Sequence, residues 1–169
     1  MEKMSSIELA LKNESVEMAF YEAQAKRAMN PVTKALFQEL ANDERDHHKQ
    51  IEALHGLLVK GGVWPEDVKL DVAGTNVLRT LEEVERSPVK AVDRDADEVA
   101  ALKKGIEFEK AGTRFYSMLA ELCESAKEKE FFEFLATVEA DHLASIEDTL
   151  LYIEDPDAWN ARREEFARG

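Results

Sequence analysis

Two short stretches of the sequence place a glutamate three residues before a histidine. Glu44 precedes His47 in the stretch ANDERDHHKQ, and Glu139 precedes His142 in the stretch ATVEADHLAS. On a helix, residues three apart project from the same face about one turn from each other. A carboxylate and an imidazole in that arrangement can bind one metal ion together, so each stretch is a candidate half of a metal site.

The two stretches belong to a longer internal repeat. Glu14 lies 30 residues before Glu44, and Glu109 lies 30 residues before Glu139, so the two sets superimpose at a constant offset of 95 residues. The same offset matches Phe20 with Phe115, Tyr21 with Tyr116, Ala25 with Ala120, Phe37 with Phe132, Leu40 with Leu135, Ala41 with Ala136, Asp46 with Asp141 and Ile51 with Ile146. Such repetition predicts two copies of one structural unit, here a helical hairpin.

Length and composition indicate one helical domain. A chain of 169 residues can bury a core without disulfides. A high share of charged residues with few glycines and prolines is typical of long amphipathic helices and not of β-rich folds. We predict an all-α four-helix bundle over residues 1–154, followed by a short C-terminal helix or tail over residues 155–169.

Charge and cysteine content exclude several classes of function. A formal net charge of −14 repels nucleic acid and anionic membranes and favours cations. Cys123 is the only cysteine, which excludes a disulfide framework and a Cys-x-x-Cys metal site. The N-terminal stretch has no apolar run long enough for a signal peptide, and no segment is apolar enough to span a bilayer. We therefore expect a cytoplasmic protein with no nucleic-acid or membrane partner.

Capping signals predict where the helices begin and end. In chain order they are a capping box of Ser5 and Glu8, the pair Asn30-Pro31, the pair Gly61-Gly62, a capping box of Ser125 and Glu128, and the pair Asp155-Pro156. The third helix is expected from about Ala96 to Cys123. Residues 63–95 are predicted to form a long crossover with a helical stretch at about 77–85, and Trp159 and Phe166 to pack back on the end of the bundle.

The predicted inward face of the first helix is apolar except for one carboxylate. It consists of Ile7, Leu11, Glu14, Met18, Tyr21 and Ala25. An isolated glutamate in such a stripe needs a partner. Antiparallel packing supplies one, because the midpoint between Glu14 and Glu44 falls in the first predicted turn and the midpoint between Glu109 and Glu139 falls in the second.

Four carboxylates and two imidazoles are thus predicted to meet at one level of the bundle. Four ionised glutamates in a desolvated centre would repel one another, and no cationic side chain shares their stripes. Two divalent ions would cancel that charge. Mixed oxygen and nitrogen ligands with open positions suit iron or manganese and redox chemistry better than a closed structural zinc site. The alternative is a bundle with buried protonated or paired glutamates.

The pattern resembles ferritin-like di-iron and di-manganese proteins, in which two helices give one glutamate each and two others give Glu-x-x-His. Within that superfamily the sequence is similar to the rubrerythrin family up to about Glu154. The resemblance implies a ferritin-like four-helix bundle that holds two iron ions, with manganese as the other option. The ligands it implies are Glu14, Glu44, His47, Glu109, Glu139 and His142.

The resemblance is incomplete next to the third-helix ligand. Rubrerythrins tend to carry an extra glutamate three residues after it, where this chain has Gly112. The equivalent position of the first hairpin, three residues after Glu14, is Glu17. This residue is either a seventh metal ligand, which iron could exchange for histidine as its oxidation state changes, or a solvated glutamate.

The resemblance also implies roles for three residues near the ligands. Asp43 matches the aspartate that in other di-iron bundles accepts a hydrogen bond from the histidine of the opposite Glu-x-x-His, here His142; the alternative is a solvated charge. Tyr21 and Tyr116 match tyrosines found near the metals. We expect each hydroxyl to bond a ligand carboxylate and to relay protons, the alternative being an ordinary core residue.

The function implied by the resemblance is a non-haem di-iron oxidoreductase, a peroxidase that reduces hydrogen peroxide or dioxygen. Rubrerythrins usually append a rubredoxin-like domain with two cysteine pairs, which this chain does not show, so we expect a separate electron donor, either a rubredoxin-like protein or a flavoprotein. A ferroxidase for iron storage and a non-catalytic metal-binding module are the alternatives. We expect a homodimer, whereas storage would require a closed shell of many subunits.

Overall fold

A computed structural model of the protein describes residues 5–65 and 96–168. This part of the chain consists of five helices, which are α1 (Ser6–Arg27), α2 (Pro31–Gly61), α3 (Ala96–Leu122), α4 (Ala126–Glu154) and α5 (Pro156–Arg168). The predicted all-α fold is confirmed, and the helix boundaries agree with the capping signals to within a residue. Of the crossover predicted over residues 63–95, residues 66–95, with the helical stretch expected at about 77–85, lie outside the described residues.

Short-range polar contacts explain where the first two helices begin and end. Ser5 and Glu8 form the predicted capping box at the start of α1. Asn30 caps α2 with its side chain, and Pro31 is the first residue of that helix. Gly62 follows α2 with a φ of 65°, a left-handed conformation that glycine adopts without strain. These contacts set the ends of α2 and so the height of its Glu-x-x-His pair.

The helices pair as two antiparallel hairpins. Residues 28–30 connect α1 to α2, and residues 123–125 connect α3 to α4, so each hairpin has a very short turn. The hairpins meet through α1 against α3 and α2 against α4, and α5 packs on α4. Glu98 near the start of α3 accepts hydrogen bonds from the backbone N–H groups of Met29 and Asn30, the latter at 2.7 Å. This contact ties the turn of the first hairpin to the second hairpin.

Two apolar clusters fill the two ends of the bundle. One lies at the turn of the first hairpin and includes Tyr21, Leu36, Phe37, Leu40, Leu102 and Ile146. The other lies at the opposite end and includes Ile7, Ile51, Tyr116, Phe131, Phe132 and Leu135. Burial of this apolar surface is the main stabilising contribution to the bundle. The level between the two clusters is where the polar side chains of the repeat converge.

The inward face of α1 differs from the prediction. Leu11 and Met18 are only half-buried, whereas Ala10 and Glu17 are buried. The other four members of the predicted stripe are buried as expected, namely Ile7, Glu14, Tyr21 and Ala25. Residues 10 and 17 take the places of residues 11 and 18, so the buried face is turned only slightly from the predicted one. The rotation moves a second carboxylate of α1 into the interior.

Trp159 packs on the bundle, as predicted. Its ring lies edge-on to Tyr152 of α4 at a centroid distance of 5.0 Å, and its indole N–H donates a hydrogen bond of 3.0 Å to Asp148. Only 1% of Trp159 is exposed. The side chain of Phe166, predicted to pack in the same way, lies outside the described residues.

Candidate metal centre

The glutamates and histidines of the two repeats lie together at the middle of the bundle. Each of these residues is at most 2% exposed. Helices α1 and α3 contribute one carboxylate each, and helices α2 and α4 contribute one carboxylate and one imidazole each. In chain order the residues are Glu14, Glu44, His47, Glu109, Glu139 and His142.

Their polar atoms form groups small enough to surround an ion. Within each group, one atom from every residue lies within 4.8 Å of all the others. One group consists of Glu44, Glu109, Glu139 and His142, and another of Glu14, Glu44 and His47. Glu44 belongs to both groups and therefore lies between them.

Each imidazole turns its Nδ1 atom toward the carboxylates. Nδ1 of His47 lies 3.4 Å from Oε2 of Glu14 and 3.4 Å from Oε2 of Glu44. Nδ1 of His142 lies 2.9 Å from Oε1 of Glu44 and 3.8 Å from Oε1 of Glu109. The two rings are 5.7 Å apart and inclined by 18°. Imidazoles from both hairpins therefore face the same small volume.

Several buried polar atoms at this volume lack a hydrogen-bond partner. Two of them are Nδ1 of His142 and Oε1 of Glu44, which are 2.9 Å apart but are not oriented as donor and acceptor. The others are Oε2 of Glu14, Oε2 of Glu17, Oε2 of Glu109 and both carboxylate oxygens of Glu139. An unpaired buried polar group costs about 1–3 kcal/mol. A group of such atoms that point at one another fits metal binding, because a cation would pair with all of them.

Burial is the main cause of the unusual acidities of the carboxyl groups. Burial, with the charge of Glu44, raises the pKa of Glu14 to about 8. Burial also raises the pKa values of Glu17 and Glu139 well above their usual range. Glu44 differs, because the charge of the neighbouring His142 outweighs burial and lowers its pKa. Without a cation, the acids hold protons or depend on a charged imidazole.

The pKa values of the two imidazoles are shifted in the direction that favours their charged form. Burial lowers the pKa of His47, but its close contacts with the carboxylates of Glu14 and Glu44 outweigh burial and raise that pKa to about 9. Burial opposes protonation of His142 as well, and the charge of Glu44 nevertheless raises its pKa well above the usual range. The cluster therefore attracts positive charge, which protons or metal ions can supply.

Two tyrosines connect the hairpins at this level. Tyr21 on α1 donates a hydrogen bond to Oε1 of Glu109 on α3, and Tyr116 on α3 donates one to Oε1 of Glu14 on α1. Both side chains are fully buried. Burial and the neighbouring carboxylates raise the pKa of each tyrosine well above its ordinary value, so the hydroxyls remain donors.

Glu17 is buried beside the cluster and is not a solvated glutamate. It is 2% exposed, and its carboxylate groups with those of Glu14, Glu44 and Glu139. A Cβ atom at Gly112 would lie 3.0 Å from Oε1 of Glu17 and 3.1 Å from Oε2 of Glu139. Glycine on α3 therefore leaves the space that the two carboxylates occupy.

Asp43 lies behind one imidazole. Its Oδ2 atom is 3.5 Å from Nε2 of His142, the ring nitrogen opposite the one that faces the carboxylates. The Asp43 side chain is 24% exposed, so it stands at the edge of the site. Its counterpart in the repeat is Val138, which is apolar and buried.

The sequence interpretation missed Asn13. Its side-chain amide donates a hydrogen bond of 3.0 Å to Oε1 of Glu17, which leaves Oε2 of Glu17 without a partner and directed at the cluster. The available signal was the four-residue spacing of Asn13 and Glu17 on one helix, which brings their side chains together.

Fold and site together define a ferritin-like carboxylate protein, whose two repeated hairpins surround a buried cluster of glutamates and histidines. The family model described as Rubrerythrin matches residues 6–151, and the chain belongs to the rubrerythrin family. Membership indicates a di-iron carboxylate protein and oxidoreductase activity in general, and the buried cluster is compatible with a di-iron site. The chain matches none of the curated proteins and none of the solved structures with which it was compared. No helix in the described ranges is both long and apolar enough to cross a membrane.

Proposed function

We propose that the protein is a non-haem di-iron oxidoreductase that reduces hydrogen peroxide, or dioxygen, with electrons from a separate donor. The observation that supports this proposal is the set of unpaired buried oxygens that face two imidazoles between the hairpins. A purely structural cluster would gain nothing from leaving these atoms unpaired. A pair of cations gives every one of them a partner.

Six residues would hold the two ions, with Glu17 as a seventh carboxylate. Oxygen ligands with one imidazole from each hairpin suit ferrous iron or manganese. Two ferrous ions, when bound, supply the two electrons that cleavage of a peroxide O–O bond requires, at positions that the protein does not fill. The six ligands are Glu14, Glu44, His47, Glu109, Glu139 and His142.

The remaining residues orient the ligands and hold protons. The hydroxyl of Tyr21 fixes one oxygen of Glu109, and the hydroxyl of Tyr116 fixes one oxygen of Glu14. Each hydroxyl also keeps a proton next to the site, which the reduction of peroxide to water consumes. Asp43 would hold the proton of His142 on Nε2, so that Nδ1 stays free to bind. The two apolar clusters exclude bulk water.

Anaerobic loading followed by oxidation tests the proposal. Protein that contains two ferrous ions per chain should develop the absorbance of the diferric site much faster with one equivalent of hydrogen peroxide than in air-saturated buffer. Glu44→Ala should abolish the change, and Asp141→Asn, which alters an exposed carboxylate of α4, should leave it intact. Equal rates of iron oxidation with both oxidants would argue against a peroxidase. If neither oxidant oxidises the bound iron, the protein is a metal-binding module without catalytic activity.

Solution mass separates the proposed enzyme from a storage protein. An iron-storing ferroxidase requires a closed shell of many subunits, whereas the enzyme proposed here is a homodimer. Light scattering of the iron-loaded protein should give the mass of two chains. A large particle that takes up iron far beyond two ions per chain would replace the proposal with ferroxidase and storage function. A rubredoxin-like protein or a flavoprotein is the electron donor to be tried first.

A further inference from the structure

Four aromatic rings form a continuous path from the metal centre to the rim of the bundle. Tyr116, which donates its hydrogen bond to Glu14, stacks on Phe132 at a centroid distance of 6.2 Å. Phe132 contacts Phe131 at 5.3 Å, and Phe131 contacts Trp64 at 5.4 Å. The first three rings are buried and Trp64 is partly exposed. We call these four rings the aromatic path.

The path joins two oxidisable side chains. The phenol of Tyr116 and the indole of Trp64 can each lose an electron, whereas the phenylalanine rings between them are much harder to oxidise. The two phenylalanines serve as a packed bridge that couples the ends. Trp64 borders an open groove of about 310 Å³ together with Ile7, His55 and Val59, so small molecules can reach the indole.

We propose that the aromatic path carries oxidising equivalents from the metal centre to Trp64, where a reductant in solution returns the electron. The inference rests on the proposed function, because peroxide supplies the oxidising equivalent. The role of the path is to reduce the oxidised metal centre when the regular electron donor is absent. A neutral quinol is the class of reductant that fits, because a net charge of −14 disfavours the approach of anions.

Electrons and protons balance in three steps. Tyr116 gives one electron to the metal centre and its phenolic proton to Oε1 of Glu14, the acceptor of its hydrogen bond. The tyrosyl radical then takes one electron from Trp64 through the two phenylalanine rings and recovers the proton from Glu14. The oxidised indole, a radical cation, takes one electron from the quinol, which releases one proton to the solvent and becomes a neutral semiquinone. The net result is the transfer of one electron from the quinol to the centre.

The other hairpin provides an internal comparison. Tyr21 stacks on Phe37 at 6.0 Å, just as Tyr116 stacks on its repeat counterpart Phe132. The residue that corresponds to Phe131 is Leu36, so the ring path ends there. On its other side Tyr21 contacts Phe20, which stacks on Phe108, and these rings are again hard to oxidise. Within the described residues, the ring contacts therefore lead from a site tyrosine to a rim tryptophan only on the side of Tyr116.

Protein loaded with zinc, which neither gives nor takes electrons, allows a test that does not depend on the di-iron chemistry, and its Glu14 binds a metal ion instead of a proton. In a Trp159→Phe background, which leaves Trp64 as the only tryptophan, a photogenerated ruthenium(III) oxidant should produce an indole radical. That radical should decay at the rate at which a tyrosyl radical forms. Tyr116→Phe should retain the indole radical and lose the tyrosyl signal. A tyrosyl signal that persists unchanged in this variant would overturn the proposal.

Matched substitutions separate the path from general effects on packing. Phe132→Leu should slow the transfer by about tenfold or more, because it leaves a void in the packed bridge. Phe37→Leu removes the corresponding ring in the other hairpin and should leave the rate unchanged. Circular dichroism checks that both variants remain folded. Equal slowing in the two variants would overturn the proposal.

The iron-loaded protein supplies the final test. With excess peroxide and no reductant, mass spectrometry should find oxygen added to Trp64 and little at Trp159, and a quinol should suppress the damage. Trp64→Phe should shift the damage to the interior around Tyr116. If loaded protein fails to consume peroxide, the proposed function fails while the photochemical result stands. If peroxide is consumed and Trp64 is damaged no more than Trp159, only the aromatic path fails.

Discussion

The two hairpins carry the same proposed metal ligands and differ in the residues beside them. Each supplies two glutamates, one histidine and one tyrosine at positions related by the 95-residue offset. Three of the differences at related positions are Glu17 against Gly112, Asp43 against Val138, and Leu36 against Phe131. The positions that are the same in both hairpins are those at which each of two ions would need one ligand set. The unmatched positions make the two halves of the site unequal.

One of these differences is a complementary pair. Glu17 on α1 and Gly112 on α3 face each other across the bundle, and a Cβ atom on the glycine would come 3.0 Å from the carboxylate. The carboxylate of Glu17 lies in the volume that a side chain on residue 112 would occupy. The extra glutamate in the first hairpin therefore fits beside a glycine in the second, because a Cβ atom there would have to displace one of the carboxylates by a few tenths of an ångström.

The largest effect on metal binding is expected at Glu44, where the two halves of the site meet. Glu44 belongs to every group of potential ligands at the site, whereas Glu17 belongs to one. Glu44→Ala should therefore weaken binding of both ions by more than about 100-fold. This loss is larger than the one expected when a residue that only supports a ligand is removed. Glu17→Gln should retain two ions per chain. Metal content after dialysis and anaerobic titration calorimetry measure both, and two tightly held ions in Glu44→Ala would contradict the shared position of this residue.

The pH dependence of stability should also distinguish the hairpins. The pKa of Glu14 is raised to about 8 and that of His47 to about 9, so both groups stabilise the metal-free fold when protonated. This contribution is complete below the ordinary values of 4.5 and 6.5 and is lost as pH rises through the raised ones. The free energy of unfolding of the metal-free protein should fall by several kcal/mol between about pH 5 and pH 9.

The control for this pH dependence is the metal-loaded protein. Metal ions displace the protons, so stabilisation by metal should grow as pH rises. Glu14→Gln should flatten the curve of the metal-free protein more than its repeat counterpart Glu109→Gln, because the pKa of Glu14 is raised further. Urea unfolding at several pH values measures the difference. A metal-free protein whose stability rises over this range would show that the carboxyl groups at the site are ionised without metal.

The repeat and the capping residues made the buried cluster of glutamates and histidines predictable from the sequence. A constant offset identified Glu44 and Glu139 as a pair, and local signals such as Asn30 before Pro31 set the heights of the helices. Side-chain rotation and distances between helices were not accessible in this way. The rotation of α1 buried Glu17, and the reason for Gly112 depends on a gap between α1 and α3 that no local pattern encodes.

Filling that gap is the next largest expected effect. Gly112→Ala places a methyl group against the carboxylates of Glu17 and Glu139 and should weaken metal binding by about 10- to 100-fold, the range for displaced supporting contacts. Gly105→Ala on the same helix meets mainly the flexible end of Ile146 at 3.2 Å and gains helix propensity, so it should leave metal binding unchanged. Calorimetric titration of both variants measures the contrast. Equal affinities would mean that Glu17 can leave the cluster without consequence.

The smallest effect is expected behind the imidazole of the second hairpin. Asp43→Asn keeps the shape of the side chain and removes its charge next to Nε2 of His142, so metal affinity should fall by about tenfold. Val138→Thr alters the repeat-related position with little change in size and should have no comparable effect on affinity. Anaerobic titration with manganese measures both affinities. If Asp43→Asn binds as tightly as the unmodified protein, the aspartate is an edge charge, and the two imidazoles are equivalent despite their different neighbours.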